Sequence, residues 1–306
     1  MDLIYGIDIA SESFVVFNND LGCFDCDNKK KPIAAFLKTL PEGAVLAVEA
    51  TGGYAKELAD MAWAKGFTVY MLQPAKVKSF RKAGPERSKS DKIDAKEIHE
   101  YIESFSKRLH PYRPLPAFEA KLRKLARVRD GLARKAASIR VQLRSLGNDP
   151  KGIEAVVSGL VRKIVQLTAE IEAMLASAED AHVLHTIPSV KTCTIAALLP
   201  ILRSIPFKDK YALDSYVGMD LVMNESGRFR GERRISKQGD KYARKALYMA
   251  AMSATISKVW KPYYKRLIEV KKLKKIKALV ALARKILHTI YGVYRTQTRF
   301  VAPIWG

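Results

Sequence analysis

The chain has 306 residues, enough for two domains with a sizeable core, and its 48% hydrophobic content excludes a wholly disordered polypeptide. The first residues lack a basic segment followed by a long apolar run, and no apolar stretch is long enough to span a bilayer, so we expect a cytoplasmic protein. Three cysteines cannot form a disulfide framework, and the pair Cys23 and Cys26 lacks the two further ligands of a structural zinc site.

Positive charge is concentrated after the first third of the chain. The net charge is +23, yet residues 1–104 hold 14 Lys and Arg against 16 Asp and Glu, whereas residues 105–306 hold 40 against 15. Such asymmetry is typical of proteins that bind a polyanion. An acidic membrane surface would require a lipidation motif or an amphipathic anchor, and the sequence contains neither. Nucleic acid is therefore the expected partner.

Residues 1–110 alternate between strand and helix patterns. Three β-rich runs come first, at Leu3–Ile9, at Ser13–Phe17 and around Cys23. Helices and apolar strands then alternate along the chain, at Lys31–Leu40, Gly43–Glu49, Tyr54–Lys65, Gly66–Leu72, Pro74–Lys82 and Asp91–Ser104, with Ser90 as the N-cap of the last helix. This order predicts a ribonuclease-H-like α/β domain over residues 1–110.

Residues 111–180 are predicted to form a linker and a helical hairpin. The segment Pro111–Pro116 has three prolines, and two helices with apolar residues at heptad-like spacing follow on either side of the turn at Gly147–Pro150. This pattern predicts an antiparallel coiled coil, either a self-contained arm or a dimerisation surface. The first helix has a row of arginines that could follow a phosphate backbone or form a solvated face: Arg123, Arg127, Arg134, Arg140 and Arg144.

Residues 181–306 are predicted to form a compact helical domain, so that the region after residue 110 is all-α. Its helices are expected at Thr194–Leu202, Tyr242–Lys258 and Ala278–Tyr294. A basic, glycine-containing loop precedes the second of these helices and a lysine cluster precedes the third. The loop contains Arg228, Arg230, Arg233 and Arg234, and the cluster contains Lys271, Lys272, Lys274, Lys275 and Lys277.

Four carboxylates of the first domain are candidate ligands for a metal ion. Asp8 lies in the first strand, and Glu49 ends the apolar strand Gly43–Glu49, so the two can face each other if their strands are neighbours. Asp91 and Asp94 share one face at a helix start. Four clustered carboxylates repel unless cations neutralise them, and oxygen ligands favour Mg²⁺ or Mn²⁺. Acids at a helix start are also favoured by the macrodipole, but the ordered set of four favours the metal site.

Short motifs in both the first and the last domain occur in a characteristic order. In the first domain they are Gly6-Ile7-Asp8, Glu49-Ala50-Thr51-Gly52-Gly53-Tyr54, Pro74-Ala75-Lys76-Val77 and Lys89-Ser90-Asp91-Lys92-Ile93-Asp94-Ala95. In the last domain they are Ile187-Pro188, Gly218, Glu225-Ser226-Gly227, Gly231, Ile235-Ser236-Lys237-Gln238-Gly239 and Arg244-Lys245-Ala246-Leu247-Tyr248. With these motifs the sequence resembles the insertion-sequence transposases of the IS-one-ten family, which are related to Piv-type DNA invertases and are described as bridge-RNA-guided recombinases. The likeness spans nearly the whole chain.

The resemblance implies a RuvC-like site in which Asp8, Glu49, Asp91 and Asp94 bind Mg²⁺, and a serine nucleophile at Ser226. It also implies DNA substrates (donor and target), a structured bridge RNA, and a dimer or tetramer in which one subunit's metal site meets another's serine. The residues around Ser226 leave Ser215, Ser236 and Tyr248 open as nucleophiles. Nearby basic side chains suit the clamping of phosphates: Arg228, Arg230, Arg233, Arg234 and Lys237.

The sequence departs from the family pattern at several positions. Ser189 and Lys191 stand where the family often has glycines, Leu221 replaces a common proline, and Gln73 replaces a common asparagine. Two other functions remain open from the residues alone. One is a metal-only nuclease or junction resolvase in which water attacks the DNA, and the other is a nucleic-acid-binding protein without catalysis.

Overall fold

The structure is a computed structural model, and it describes residues 3–50, 53–83, 90–147, 152–222, 225–226, 229–230 and 233–303. The chain forms two compact units, residues 1–114 and residues 115–306. The helical hairpin belongs to the second unit, together with the C-terminal helices. The sequence-based boundary at residue 180, between hairpin and C-terminal domain, stays a prediction.

The first unit is a mixed α/β structure, as predicted. Its elements in chain order are β1 (Ile4–Ile9), β2 (Ser13–Asn18), β3 (Gly22–Asp27), α1 (Lys30–Thr39), β4 (Val45–Glu49), α2 (Ala55–Ala64), β5 (Thr68–Leu72), α3 (Pro74–Ala83) and α4 (Asp91–Phe105). The five strands form one sheet in the order β3-β2-β1-β4-β5. Strands β1, β2 and β3 pair antiparallel, whereas β4 pairs parallel with both β1 and β5.

The two faces of this sheet have separate cores, because successive side chains of a strand point to opposite faces. Tyr5, Ile7 and Ile9 of β1 belong to the larger core, which also includes buried residues of α1 and α2. Ala47 of β4 belongs to the smaller core on the other face, with Ile98 and other residues of α4. Helix α4 therefore covers the sheet face opposite α1 and α2.

Gly6 allows α4 to approach the middle of β1 closely. A Cβ atom at this position would overlap the Ala95 carbonyl oxygen and would lie 2.6 Å from the His99 backbone nitrogen. Since real Cβ atoms do not approach so closely, any larger residue at position 6 would push the helix away from the sheet. The glycine of the Gly-Ile-Asp motif is thus explained by packing.

The second unit is mostly helical. Its helices are α5 (Ala117–Leu146), α6 (Ile153–Ala176), α7 (Glu179–His185), α8 (Thr192–Ser204), α9 (Lys210–Val217), α10 (Lys241–Ala254), α11 (Lys261–Glu269) and α12 (Lys275–Thr296). Among the described residues of this unit there are also four two-residue strands: β6 (Leu221–Val222), β7 (Glu225–Ser226), β8 (Phe229–Arg230) and β9 (Arg234–Ile235). The region after residue 110 is therefore mostly helical, which is consistent with the predicted all-α arrangement, and the four short strands are an addition that the sequence did not indicate. Strand pairing here gives partners to backbone N–H and C=O groups that a loop would leave to water.

Helices α5 and α6 form the predicted hairpin. The end of α5 is set by Gly147, whose φ of 73° gives a left-handed C-cap. Apolar residues near the base of the hairpin are fully buried, among them Leu122 and Ile171, because they join the core of the C-terminal helices. Farther along α5, Leu132 and Ile139 are only half-buried. A two-helix hairpin alone does not cover its whole apolar seam.

The core of the second unit lies among α8, α10 and α12. Trp260 is fully buried, and its indole N–H donates a hydrogen bond to the Pro188 carbonyl oxygen at 2.9 Å. The residue after Pro188 is Ser189, whose φ of 71° lies in the left-handed region that favours glycine. Ser189 therefore adopts a backbone conformation for which the glycine of the family pattern is better suited. No helix in the described part of the chain is sufficiently long and apolar to cross a membrane.

Candidate functional site

Asp8 and Glu49 lie on the same face of the sheet, on neighbouring parallel strands. Gly6 of β1 is paired with Ala47 of β4. Both residues face α4, since Gly6 lies against its backbone and Ala47 belongs to its core. Two residues farther along each strand the same face is reached again. The carboxylates of Asp8 and Glu49 therefore project toward the α4 side at the ends of their strands, and both are half-buried.

The first turn of α4 supplies the other two predicted carboxylates. Ser90 is the N-cap, as predicted, and its hydroxyl accepts a hydrogen bond from the Ile93 N–H at 3.3 Å. Asp91 is exposed, whereas Asp94 is only 7% exposed. The packing of α4 against β1 and β2 makes this helix the cover of the sheet face that bears the strand carboxylates.

The four carboxylates share one side of the sheet but are not drawn into one cluster. Within the ranges that the structure describes, no three His, Cys, Asp or Glu side chains are close enough to hold one metal ion. Two further polar residues of α4 are buried and were not singled out from the sequence, Glu97 at 8% exposure and His99 at 1%. The spacing of Glu97, three residues after Asp94, was a signal that could have found it.

Ser226 lies in a short β-hairpin between α9 and α10, which consists of two antiparallel strand pairs. Strands β6 and β9 pair antiparallel at the base, and β7 and β8 pair antiparallel beyond them, with Ser226 opposite Phe229. Of Ser226 and Arg230 only the backbone is described, and Arg228 lies outside the described residues. The neighbouring basic residues Arg233, Arg234 and Lys237 are exposed.

The rival nucleophiles have different surroundings. Ser215 is exposed on α9, and Tyr248 is half-buried on α10. The Ser236 hydroxyl donates a hydrogen bond to the Asp220 carboxylate beside the base of the hairpin. Ser236 is therefore the rival nucleophile that has a carboxylate partner among the described contacts.

Arg123 and Arg127 of the predicted phosphate-binding row make contacts within the second unit. Each donates to the same oxygen of Asp240 at 3.1 Å, and the Arg127 guanidinium lies 4.8 Å from the ring centroid of Tyr242. Asp240 also caps α10 by accepting the N–H groups of Tyr242 and Ala243. These arginines thus hold the base of α5 to the start of α10.

The surroundings of Asp240 decide its ionisation. Burial alone would raise the pKa of its carboxyl, but the Ala243 N–H, the two arginine charges and the Tyr242 N–H together lower that pKa below its ordinary value. Asp240 is therefore a fixed negative charge in the folded protein. Farther along α5, Arg134 forms an exposed i, i+4 pair with Asp130, which also pairs with Lys245.

Comparisons with known proteins match both units. A model described as "Transposase" matches residues 5–146, and a model described as "Transposase IS116/IS110/IS902 family" matches residues 181–265. Two curated relatives are the pilin gene-inverting proteins of Moraxella lacunata and Moraxella bovis. Each is 26% identical over 264 residues, which cover 83% of this chain and 81% of the relative. The matched ranges include every predicted acidic residue and Ser226, and they show that the chain belongs to the IS110 family of transposases, enzymes that recombine DNA.

Proposed function

We propose that this transposase cleaves and rejoins DNA by means of a serine nucleophile, Ser226, assisted by divalent metal at Asp8, Glu49, Asp91 and Asp94. The observation that supports the proposal best is the common face of Asp8 and Glu49, beneath the helix that begins with Asp91.

The strand arrangement supports a ribonuclease-H-like identity for the first unit. Three antiparallel strands are followed by two strands parallel to the first, in the order β3-β2-β1-β4-β5. Acidic residues at the ends of the central strands β1 and β4 would then form the catalytic edge of the sheet.

The donor set fits a hard cation. Carboxylate oxygens are the ligands that Mg²⁺ prefers, and Mn²⁺ accepts the same ligands. A bound divalent ion would neutralise the mutual repulsion of the four carboxylates and supply Lewis-acid stabilisation of the charge on the phosphate. Asp94, already buried, would hold the most fixed position of the set, and exposed Asp91 would move the most when the cluster closes.

The chemical step assigned to Ser226 is a phosphoryl transfer. Its oxygen forms a bond to the DNA phosphorus, the bond from phosphorus to one sugar oxygen breaks, and the serine proton ends on that sugar oxygen. The product is a phosphoserine linkage and a free DNA hydroxyl. Attack by a hydroxyl of the partner strand reverses the step and joins the two strands. Exposed Arg233, Arg234 and Lys237 would pair with DNA phosphates beside the reacting strand.

Ser226→Ala should bind DNA but form no covalent adduct, because the attacking oxygen is gone. Asp8→Asn and Asp94→Asn should keep the fold and lose strand cleavage by roughly 100-fold or more, since each removes a charged ligand. The measurement is a denaturing gel of protein with labelled DNA in Mg²⁺, followed by mass spectrometry of the adduct peptide. Ser215→Ala, an exposed serine of the same unit, is the matched control and should react like the wild type.

Three results would contradict this assignment. An adduct that persists in Ser226→Ala and disappears in Tyr248→Phe would move the nucleophile to the tyrosine. Cleavage without any adduct would favour the metal-only nuclease. Full activity of Asp94→Asn in Mg²⁺ would remove the metal site as proposed.

We also propose a role in DNA inversion as the second candidate, because two relatives are named as pilin gene-inverting proteins. Transposition joins an element to a new site, whereas inversion exchanges two sites of one molecule. Both use the cleavage and joining step above. A circular DNA with two inverted sites distinguishes them, since inversion alone leaves the molecule at its original length.

A homo-oligomer and a bridge RNA complete the proposal. The half-buried apolar seam of the α5–α6 hairpin, including Leu132, Ile139 and Leu160, would be covered by the hairpin of a second copy. The exposed lysines 271, 272, 274, 275 and 277 would contact the backbone of a folded RNA. These assignments rest on the family resemblance and on the charge of the second unit.

A further inference from the structure

We infer that Ser236 and Asp220, together with a backbone crossing at Gly218 and Gly239, form a brace that positions the hairpin of Ser226. The inference rests on the proposed role of Ser226 and assigns positioning residues for that reaction. It also gives Ser236, one of the rival nucleophiles, a different task.

The base of the hairpin is a crossing of two chain segments that only glycines can make. Gly218 has a φ of 75°, and a Cβ atom there would lie 2.7 Å from the Gln238 carbonyl oxygen. Gly239 has a φ of 149°, and its Cβ atom would overlap the Tyr216 carbonyl oxygen and lie 2.8 Å from the Val217 carbonyl carbon. Any side chain at either position would therefore separate the two segments.

Hydrogen bonds join the same two segments next to the crossing. The Ser236 N–H donates to the Asp220 carbonyl oxygen at 2.9 Å, and the Lys237 N–H donates to the Gly218 carbonyl oxygen at 3.1 Å. The Ser236 hydroxyl donates to the Asp220 carboxylate and accepts from the Gln238 N–H at 3.3 Å. The Ser236 hydroxyl thus links the Asp220 side chain of the first segment to the Gln238 backbone of the second.

The brace is attached to the helical core on both sides. Arg244 of α10 donates to the carbonyl oxygen of Val217, the last residue of α9, at 2.7 Å. Leu213 of α9 and Leu247 of α10 are fully buried in the core of the unit. The two ends of the hairpin therefore leave from helices of the core, and the brace joins these two ends next to the helices.

The hairpin itself is too short to hold its own shape. Each of its strands has two residues, and isolated two-stranded hairpins are marginally stable in water. The geometry of β7, where Ser226 lies, must therefore depend on the pairing of β6 with β9 directly above the brace. Loss of the brace would spread Ser226 over several positions, and a displacement of about 1 Å can reduce a reaction rate roughly 100-fold.

A second explanation of the Ser236–Asp220 pair must be distinguished, in which the carboxylate is a base and Ser236 is the nucleophile. Asp220→Asn separates the two explanations. The asparagine carbonyl oxygen can still accept the Ser236 hydroxyl, so a brace survives, but the neutral amide cannot take a proton, so a base does not.

The experiment measures three quantities for each variant: the rate constant of adduct formation at saturating DNA, the Kd for DNA, and backbone hydrogen exchange at residues 221–222 and 234–235. Ser236→Ala and Asp220→Ala should lower the rate constant by about 10- to 100-fold with Kd unchanged, and should speed exchange. Ser236→Thr and Asp220→Asn should recover the rate to within about threefold of wild type, because each keeps the hydrogen bond. Ser215→Ala is the matched control and should leave all three quantities unchanged.

An unchanged rate and unchanged exchange in Ser236→Ala would overturn the brace, as would an Asp220→Asn protein as slow as Ser236→Ala. Failure of the proposed function would be seen in a different measurement, because the wild-type adduct would then map to a residue other than Ser226. In that case faster exchange in Ser236→Ala still supports the brace, and unchanged exchange still contradicts it.

Discussion

Asp240 combines two local tasks in one side chain. It caps α10, and it pairs with two arginines of α5. Because the pKa of this carboxyl is lowered in the folded state, folding favours its ionised form. Stability from this group is therefore complete above the ordinary value of 3.8 and is lost as the pH falls through and below that value.

Asp240→Asn should make the protein less sensitive to acid. The amide keeps the cap, since Asn is as good an N-cap as Asp, but it does not titrate. We expect the difference in the free energy of unfolding between pH 7 and pH 3 to be smaller in the variant than in the wild type. Chemical denaturation of both proteins at the two pH values measures these differences in the free energy of unfolding. Equal differences in the two proteins would show that Asp240 does not contribute to acid unfolding.

At the scale of elements, Arg203 joins three helices of the second unit. This residue of α8 donates two hydrogen bonds to Asp180 of α7, at 2.6 and 2.8 Å, and one to Glu119 of α5, at 3.0 Å. The bonds to Asp180 raise the pKa of the guanidinium, which remains charged at any pH at which the protein folds. Glu119 is 6% exposed, so the arginine is its compensating charge.

Arg203→Ala should lower the free energy of unfolding by about 3 kcal/mol, because it leaves the buried Glu119 and the half-buried Asp180 without their cation. Arg203→Lys should recover only part of this loss, since an ammonium cannot make the paired bonds to Asp180. Arg134→Ala is the comparison, because Arg134 forms an exposed i, i+4 pair and should change stability by less than about 0.5 kcal/mol. Urea denaturation of the three variants tests the order. A loss in Arg203→Ala as small as that in Arg134→Ala would contradict the structural role.

Helix α12 lies beyond the matched family ranges but belongs to the core. The second family match ends at residue 265, whereas α12 begins at Lys275. Five of its residues are fully or almost fully buried in the main core of the unit, namely Leu282, Ala283, Ile286, Leu287 and Ile290. Its buried ion pair ties it to α9, since Arg284 and His288 both contact the Asp214 carboxylate, at 2.7 and 2.8 Å. A folded second unit therefore requires the chain through α12.

At the scale of the whole molecule, charge is divided unevenly between the two units. The whole excess of basic side chains over acidic ones lies after residue 104, since residues 1–104 hold slightly more acidic than basic side chains. It is distributed over the helical hairpin, the segment around Ser226 and the exposed lysines at and just before the start of α12. A short DNA site needs fewer contacts, whereas a large folded nucleic acid can use all of them through its backbone.

Recombination between two defined DNA sites should therefore require a structured RNA encoded beside the gene. Nuclease-treated protein should be inactive on such sites, and activity should return when the flanking transcript is added. An unrelated RNA of equal length, which supplies the same charge, is the control and should not restore activity. Site-specific recombination by RNA-free protein would contradict the guide and would leave the assignments of the serine and the metal untouched.

Much of the local structure of this protein was determined by the sequence itself. The strands of the first unit, the N-cap at Ser90, the hairpin helices and the turn that begins at Gly147 all follow from patterns within a few residues. Periodicity and capping are local properties, so they can be recognised without knowing the fold. The set of acidic residues and the serine motif were likewise visible, because the resemblance to the family rests on short motifs in order.

Only the tertiary structure decided what these residues contact. The register of β1 against β4 brings Asp8 and Glu49 to one face, although 40 residues separate them in the chain. Arg123 and Arg127, which the sequence suggested as contacts to a phosphate backbone, form ion pairs with Asp240. The Ser236 hydroxyl donates a hydrogen bond to Asp220. Such contacts depend on close packing between distant segments, as at Gly6 beneath α4 and at Gly218 beside Gln238. Local patterns contain no information on which distant surfaces will meet, because that choice is made by the fit of the whole core.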